Sequence, residues 1–500
     1  MRPRGRFAFW AVWAVFSTGF LVCRWGLFDP VFYNVDEAEY AVGAQALSQG
    51  LLPGLDLIGS TKPPAIVFLY WCVFAVLGES LLVIQVTGIV LWFIALALTM
   101  RLGQRLLPDV PVWASALSFF LLANSFGPPR DLHALNVELP GVVFTLASLL
   151  LLTRVRLNRT LMVAGTLLGI AVMFRQSLVF FAIPAMILLL PLRTREVVPF
   201  AAGVVLPWLV LLIPYMQRDG LGWAYESWVR FPMMYAGDTG IAGFLLAAWY
   251  TTIEIIRQAV VPFLLAFAGI YLAFKARNRV ILAMLIASAL AVSSGSRFFE
   301  HYYIQALPVM ALLAALSAIE LVKRGGWIER GVKASLAVGA IMAILHFPLW
   351  RIWDPSAPPK GVSAESLDLG GLEIELAEFA AQQSFPNERI FVWGYCPQIY
   401  FHSKRTPAVR DFLCEYVTGY SPFSTSPRPY ARPDAMEMMI EDLKKNQPKL
   451  IFDLSFVEYY PYSFTRYPLS NYPHLADYIR TNYHPAAQAG PVPIYALASN

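Results

Sequence analysis

From Phe7 to Trp350 the chain is built of apolar runs separated by short polar connections. Most runs are roughly 15 to 22 residues long, close to the ~20 that cross ~30 Å of hydrocarbon. They lie at about 7–28, 80–101, 111–126, 137–153, 160–174, 177–192, 196–215, 258–274, 280–295, 302–322 and 332–350, which predicts eleven transmembrane helices. Composition agrees, since in a chain of 500 the 57% hydrophobic residues exceed, and the 14% charged residues fall below, what a soluble protein carries. The expected fold is an α-helical polytopic membrane protein. MRPRGR followed by apolar residues has the charge of a signal sequence. The run is too long for one and no small-residue cleavage site follows, so Phe7 to Phe28 reads as a retained first helix.

Cytoplasmic loops carry the excess of Lys and Arg. With the N-terminus inside, alternate connections hold 17 of the 25 Lys and Arg of residues 1–350, among them Arg101, Arg105, Arg154, Arg193, Lys275 and Lys323. Sorted in this way, a net charge of +5 calls for no nucleic-acid partner. Ala65 to Leu77 is too short to cross, and counting it as a span would invert every later loop. It is expected as an interfacial or re-entrant helix. Residues 241–257 end in Glu254 and Arg257 and are expected to lie along the outer surface.

After Trp350 the composition turns Pro-rich and charged, so two domains are expected: 1–350 in the membrane and 351–500 outside it. LEIELAEFAAQQ and AMEMMIEDLKK have helical periodicity, while RIFVWG and KLIFDLS read as short strands, together a small α/β unit. Cys396 and Cys414 leave open a disulfide or a pair of free thiols. The stretch VEYYPYSFTRYPLSNYP is read as a packed surface loop and receives no binding role.

The external loops bring ionisable groups to one side. The first holds Asp36, Glu37, Glu39, Asp56 and Lys62; the second holds Arg130, Asp131, His133 and Glu138; FRQS supplies Arg175, and SRFFEHYY supplies Arg297, Glu300 and His301. Asp36 suits both a helix cap and a catalytic carboxylate. Glu37 and Glu39 suit the first turn of a helix, where the dipole favours negative charge. Lys62 and Arg297 also fit residues that mark an interface, and His301 a belt residue, but Arg175 interrupts apolar sequence and points to function. Carboxylates beside Lys and Arg at a lipid boundary suit a sugar activated on a polyprenyl phosphate. The cations would hold the phosphate as it departs, and a carboxylate would take the proton of an attacking hydroxyl.

The strings DEAEYA, TKPP, NVELP, FRQS, EHYYIQALP and FVWGYCPQIYFHSKRTPAVR occur in that order. The sequence resembles the bacterial glycosyltransferases of the GT-C superfamily, of the protein O-mannosyltransferase and aminoarabinose transferase group, especially the branch of lipopolysaccharide-core sugar transferases. The resemblance implies a cell-envelope enzyme of the bacterial inner membrane with its active site and C-terminal domain in the periplasm. It implies transfer, with inversion, from a polyprenyl monophosphate sugar to lipid A or core, another glycan or a protein. The catalytic Asp of the first external loop falls on Asp36 and the acidic position of the second on Glu138, where aminoarabinose enzymes commonly have Asp. Lys62 is implied as a carrier-phosphate contact, with Arg130, Arg175, Arg297 and His301 as further candidates. No cofactor is demanded; a divalent metal on Asp36 and Glu138 is compatible with the superfamily. Competing readings are a polymerase or ligase with a pyrophosphate-linked donor, a lipid or glycolipid transporter, and a membrane-anchored scaffold.

Overall fold

A computed structural model describes residues 3–28, 32–59, 62–125, 127–154, 157–237, 239–353, 371–419, 431–457 and 464–498. It packs as two compact units, one of residues Met1–Asp29, Ile84–Ile213 and Ile241–Ala357, the other of residues Pro30–Val83, Pro214–Gly240 and Pro358–Asn500. The C-terminal block thus forms its core together with residues 30–83 and 214–240. Residues 354–370, just past the expected domain boundary, lie outside the described residues, as do residues 458–463 of the Tyr- and Pro-rich stretch.

The first unit is a helical bundle. Helix Leu307–Lys323 is buried nearly all round, as an apolar helix without a polar stripe should be. It packs against helices Val112–Ser125 and Val260–Lys275. Small residues set the close crossings: a Cβ on Gly269 would lie 2.1 Å from the carbonyl oxygen of Leu313. Helix Val260–Lys275 turns its other face outward, with Leu264, Phe267, Tyr271 and Phe274 exposed. An apolar stripe of that kind suits lipid and not water. Among the described residues, three helices are long and apolar enough to cross a membrane: Phe7–Leu27, Leu81–Leu106 and Thr194–Met216. Most other apolar helices are shorter than their sequence runs. The run 177–192, for example, is a 3₁₀ turn Gln176–Phe181 followed by helix Ala182–Leu188.

The second unit joins helices Val35–Ser48 and Ala65–Leu77 to an α/β core. Its sheet has strands β1 (Ile390–Trp393), β2 (Leu450–Asp453), β3 (Tyr483–Ala489) and β4 (Val492–Leu497) in the order β1-β2-β4-β3. β1 and β2 are parallel and the remaining pairs antiparallel, with a register shift between Pro485 and Ala487. Helices Leu372–Gln383 and Ala435–Asn446 fall where periodicity places them. Cys396 and Cys414 are both buried and free of each other. The first-loop segment is tied to the core by the Ile58 N–H donating to the Arg410 carbonyl at 2.7 Å and by the Arg218–Asp56 ion pair at 2.6 Å.

Candidate active site

Each unit gathers part of the ionisable set. In the second unit, helix Val35–Ser48 is capped by Asn34, whose extended backbone lets its side chain accept the Asp36 N–H at 2.9 Å. Glu37 reaches back to the Tyr33 N–H at 3.0 Å, a variant of the capping box. These two side chains satisfy the helix start, so the capping role considered for Asp36 belongs to Asn34. The Asp36 carboxylate instead accepts Lys62 Nζ at 2.7 Å and the Tyr40 hydroxyl at 3.4 Å. Lys62 also donates to Tyr40 Oη at 2.5 Å, and its ammonium lies 5.1 Å from that ring's centre. Tyr40 follows Asp36 by four residues and so shares its helix face. Pro63 and Pro64 fix the chain behind Lys62 and start helix Ala65–Leu77. The Asp36 and Lys62 side chains are 23% and 18% exposed, accessible enough to meet a ligand.

Behind this trio the packing is tight and acidic. Glu37 and Glu39 are buried, not solvated first-turn charges. A Cβ on Gly59 would stand 2.6 Å from the Phe412 ring and 3.4 Å from Glu39 Cγ. Burial, then Glu39, Asp411 and Asp36, push the Glu415 carboxyl well above the usual range, while Lys62 opposes them. Burial also raises Asp411 to about 7, against three backbone N–H groups that lower it.

The first unit holds the second cluster. Helix Asn158–Phe174 stops at Arg175, whose extended backbone turns the chain into the 3₁₀ segment and aims the guanidinium inward. Arg175 pairs with Glu138 at the start of helix Glu138–Leu152, and its Nε donates to Ser177 Oγ at 3.2 Å. Its guanidinium lies 3.7 Å from the Tyr302 ring centre. Ser177 donates to Gln305 Oε1 at 2.9 Å. His301 Nδ1 meets Asp131 Oδ1 at 2.6 Å, and its Nε2 stands 3.9 Å from Glu138 Oε1. Glu138 is fully buried and Arg175 nearly so. A buried ion pair contributes little net stability once desolvation is counted, which favours a role in function. Arg297 is also buried, and Ser296 and Phe298 on either side adopt left-handed φ of 59° and 51°. Such strain in non-glycine residues needs support from the surroundings, here the packing of Phe298 on Phe244 and Tyr302. The Arg130 side chain lies outside what the structure describes.

Sequence reasoning passed over two members. Asp131 was visible as a loop carboxylate, but nothing in its spacing paired it with His301. Arg24 looked like the end of a span. It is fully buried, donating to the Leu132 carbonyl at 2.7 Å, the Ala123 carbonyl at 2.8 Å and Asn124 Oδ1 at 3.2 Å. It thereby fastens the end of the first helix to the end of helix Val112–Ser125 and to Leu132. His133 in that loop is kept neutral by burial and by Arg24, its pKa lowered to about 3. A divalent ion finds no ready donor set, because among the described residues no group of three or more His, Cys, Asp or Glu is placed to hold one. Asp36 is bonded to Lys62 and Glu138 to Arg175.

No family model and no curated relative matches the sequence. Solved structures do match along its whole length. The crystal structure of ArnT from Cupriavidus metallidurans bound to undecaprenyl phosphate is similar with a TM-score of 0.60 at 14% identity, covering 100% of this chain and 99% of that one. The archaeal oligosaccharyltransferase AglB from Archaeoglobus fulgidus, in complex with an inhibitory peptide and a dolichol-phosphate, has a TM-score of 0.54 at 11% identity. It covers 99% of this chain and 75% of its own. At these identities the likeness shows the fold, and this chain shares the fold of these two structures along nearly its whole length.

Proposed function

We propose that the chain is a membrane glycosyltransferase that moves a sugar from a polyprenyl monophosphate to a hydroxyl of an extracytoplasmic acceptor, with inversion. The observation that carries this reading is the Asp36–Lys62 pair at 2.7 Å, a partly exposed carboxylate and ammonium on a helix start already capped by other groups. Asp36 takes the proton from the acceptor hydroxyl as it attacks the anomeric carbon. Lys62 binds the departing carrier phosphate; in doing so it leaves Asp36, whose carboxylate becomes the stronger base. Tyr40 keeps both in register.

Within the first unit, Arg175 and Arg297 are buried cations proposed by themselves as lipid-phosphate contacts, with Arg130 a third candidate. Glu138 pairs with Arg175, and His301 stands 3.9 Å from that carboxylate, so Glu138 serves the chemistry by positioning a cation. No step is routed through a metal. The resemblance in fold to an ArnT bound to undecaprenyl phosphate supports a lipid-phosphate donor. The reading includes eleven membrane crossings, a cytoplasmic N-terminus, and a domain of residues 351–500 on the periplasmic side of a bacterial inner membrane.

Donor class is the test. Purified protein in proteoliposomes is offered the same sugars on polyprenyl monophosphate and on polyprenyl pyrophosphate, with a membrane extract as acceptor. Transfer from the monophosphate is expected. Lys62→Ala and Arg175→Ala should raise the KM for donor; removing one charged hydrogen bond corresponds to about tenfold or more. Transfer from pyrophosphate carriers alone would replace this reading with the polymerase or ligase class. An unchanged donor KM would remove those two residues from the phosphate site.

A further inference from the structure

The chain that leaves helix Thr194–Met216 turns at once into a second continuous helical stretch, Leu221–Gly237, whose middle turn Glu226–Arg230 is π-helical. Its two faces differ. Inward, Phe231 packs with Ile58 and Tyr416, and Ser227 Oγ donates to the Gly54 carbonyl at 3.3 Å. Outward, Leu221, Tyr225, Val229 and Met233 recur every four residues and are 41% to 68% exposed. At that spacing they form one apolar stripe along the helix. Arg230, next to Val229, is neutralised by Glu226 at 2.7 Å. A contiguous apolar stripe of this kind marks an interaction surface.

The span before it sets the height of the stripe. Helix Thr194–Met216 has 23 residues, about 34 Å, enough to cross ~30 Å of hydrocarbon. In the topology given by the basic loops, Arg193 and Arg195 hold its start at the inner side, so Tyr215 and Met216 stand at the outer boundary. The connection that follows is tight, with the Gly220 N–H donating to the Tyr215 carbonyl at 2.7 Å. Trp228 packs its ring on that of Tyr215, centres 4.9 Å apart, and the Tyr215 hydroxyl donates to the Pro53 carbonyl at 2.6 Å. The stretch is thus clamped to the outer end of a span.

We infer that Leu221–Gly237 lies in the outer surface of the bilayer, its stripe in the boundary between headgroups and acyl chains. Lipid is the occupant because the stretch is fixed to the end of a helix that itself meets lipid, with Met216 exposed at the junction. The inference rests on the membrane glycosyltransferase reading and deepens it. Through Gly54 and Ile58 the anchored helix holds the segment that leads to Lys62, so contact with lipid sets the height at which Lys62 and Asp36 meet a carrier phosphate.

Fluorescence quenching of the full-length protein in phosphatidylcholine nanodiscs, without donor, tests it. Tyr225→Cys, Val229→Cys and Met233→Cys are made singly in a Cys72→Ser background, where the other native cysteines are buried, and labelled with the fluorophore NBD. Glu441→Cys, exposed on helix Ala435–Asn446, is the control. Lipid bearing a nitroxide high on its acyl chain should quench the three helix positions, and iodide in the water should quench the control but not them. Quenching of all three by iodide to the level of the control overturns the inference. Shielding of all three from both quenchers also overturns it, and marks a second copy of the chain as the occupant. Because no transfer is measured, lipid quenching in a protein that transfers nothing would refute the catalytic reading alone, and iodide quenching in an active enzyme would refute the anchor alone.

Discussion

Asn34, two residues before Asp36, decides what Asp36 can do. A cap supplied by Asn34 and reinforced by Glu37 leaves the Asp36 carboxylate to Lys62 and Tyr40. Asn34→Ala should therefore cost about 1 kcal/mol of stability, as lost caps do, and reduce transfer by drawing Asp36 toward the free N–H groups. Thermal unfolding and the transfer assay check the two effects separately. Arg24 is a residue of a different kind: two of its bonds end on backbone carbonyls and a third on Asn124 Oδ1, so it holds structure. Arg24→Leu orphans buried acceptors and should lower stability by about 1–3 kcal/mol, visible as a drop in the detergent melting temperature.

Asp411 gives a pH signature. Its folded pKa, about 7, is above the unfolded value of 3.8, so the native state binds the extra proton between those values. Stability contributed by that proton is complete below the unfolded pKa and is lost as pH rises through the folded one. Unfolding measured from pH 4 to 8 should show stability falling across the window, and Asp411→Asn should flatten the slope.

At the scale of elements, glycine sets how closely helices cross. A Cβ on Gly165 in helix Asn158–Phe174 would stand 2.0 Å from the Phe200 carbonyl oxygen, and one on Gly203 of the facing helix 2.1 Å from the Met162 carbonyl oxygen. Such small-residue contacts bring membrane helices together. Gly165→Ala should destabilise by about 1–3 kcal/mol through overpacking. Gly331→Ala, with nothing within 4 Å, should be neutral or stabilising by up to about 1 kcal/mol through helix propensity. Melting curves of the two variants in one detergent make the comparison. The elements read correctly from sequence are those with clear period: Leu372–Gln383, Ala435–Asn446, Ile390–Trp393 and Leu450–Asp453. β3 and β4 were not legible because Pro485 and Pro493 interrupt them and their burial is partial; they close as a hairpin through Gly490 at φ 54°.

For the whole molecule, charge sorting and apolar runs made the helical membrane class legible, and the ordered strings pointed to the fold that the solved structures share. The pairing of Asp131 with His301 and the burial of Glu39 were not, because they depend on chain segments far apart in sequence. The orientation proposed from the basic loops is open to labelling. In a Cys72→Ser background the other native cysteines are buried. A cysteine at exposed Glu441 should then react with a membrane-impermeant maleimide in cells with permeabilised outer membranes. One at exposed Arg330 should react only after the inner membrane is opened. The reverse pattern would invert the topology.

The central claim is that Asp36 is the base of a sugar transfer. The direct measurement is transfer of radiolabel from a panel of polyprenyl monophosphate sugars to a membrane extract, comparing wild type with Asp36→Asn reconstituted at equal density. Labelled product from wild type and a loss of at least about a hundredfold in the variant, the range of a missing general base, is the predicted result. Equal product from both proteins would contradict the assignment of Asp36, and no product from wild type, with the extract competent for a control enzyme, would contradict the glycosyltransferase reading itself.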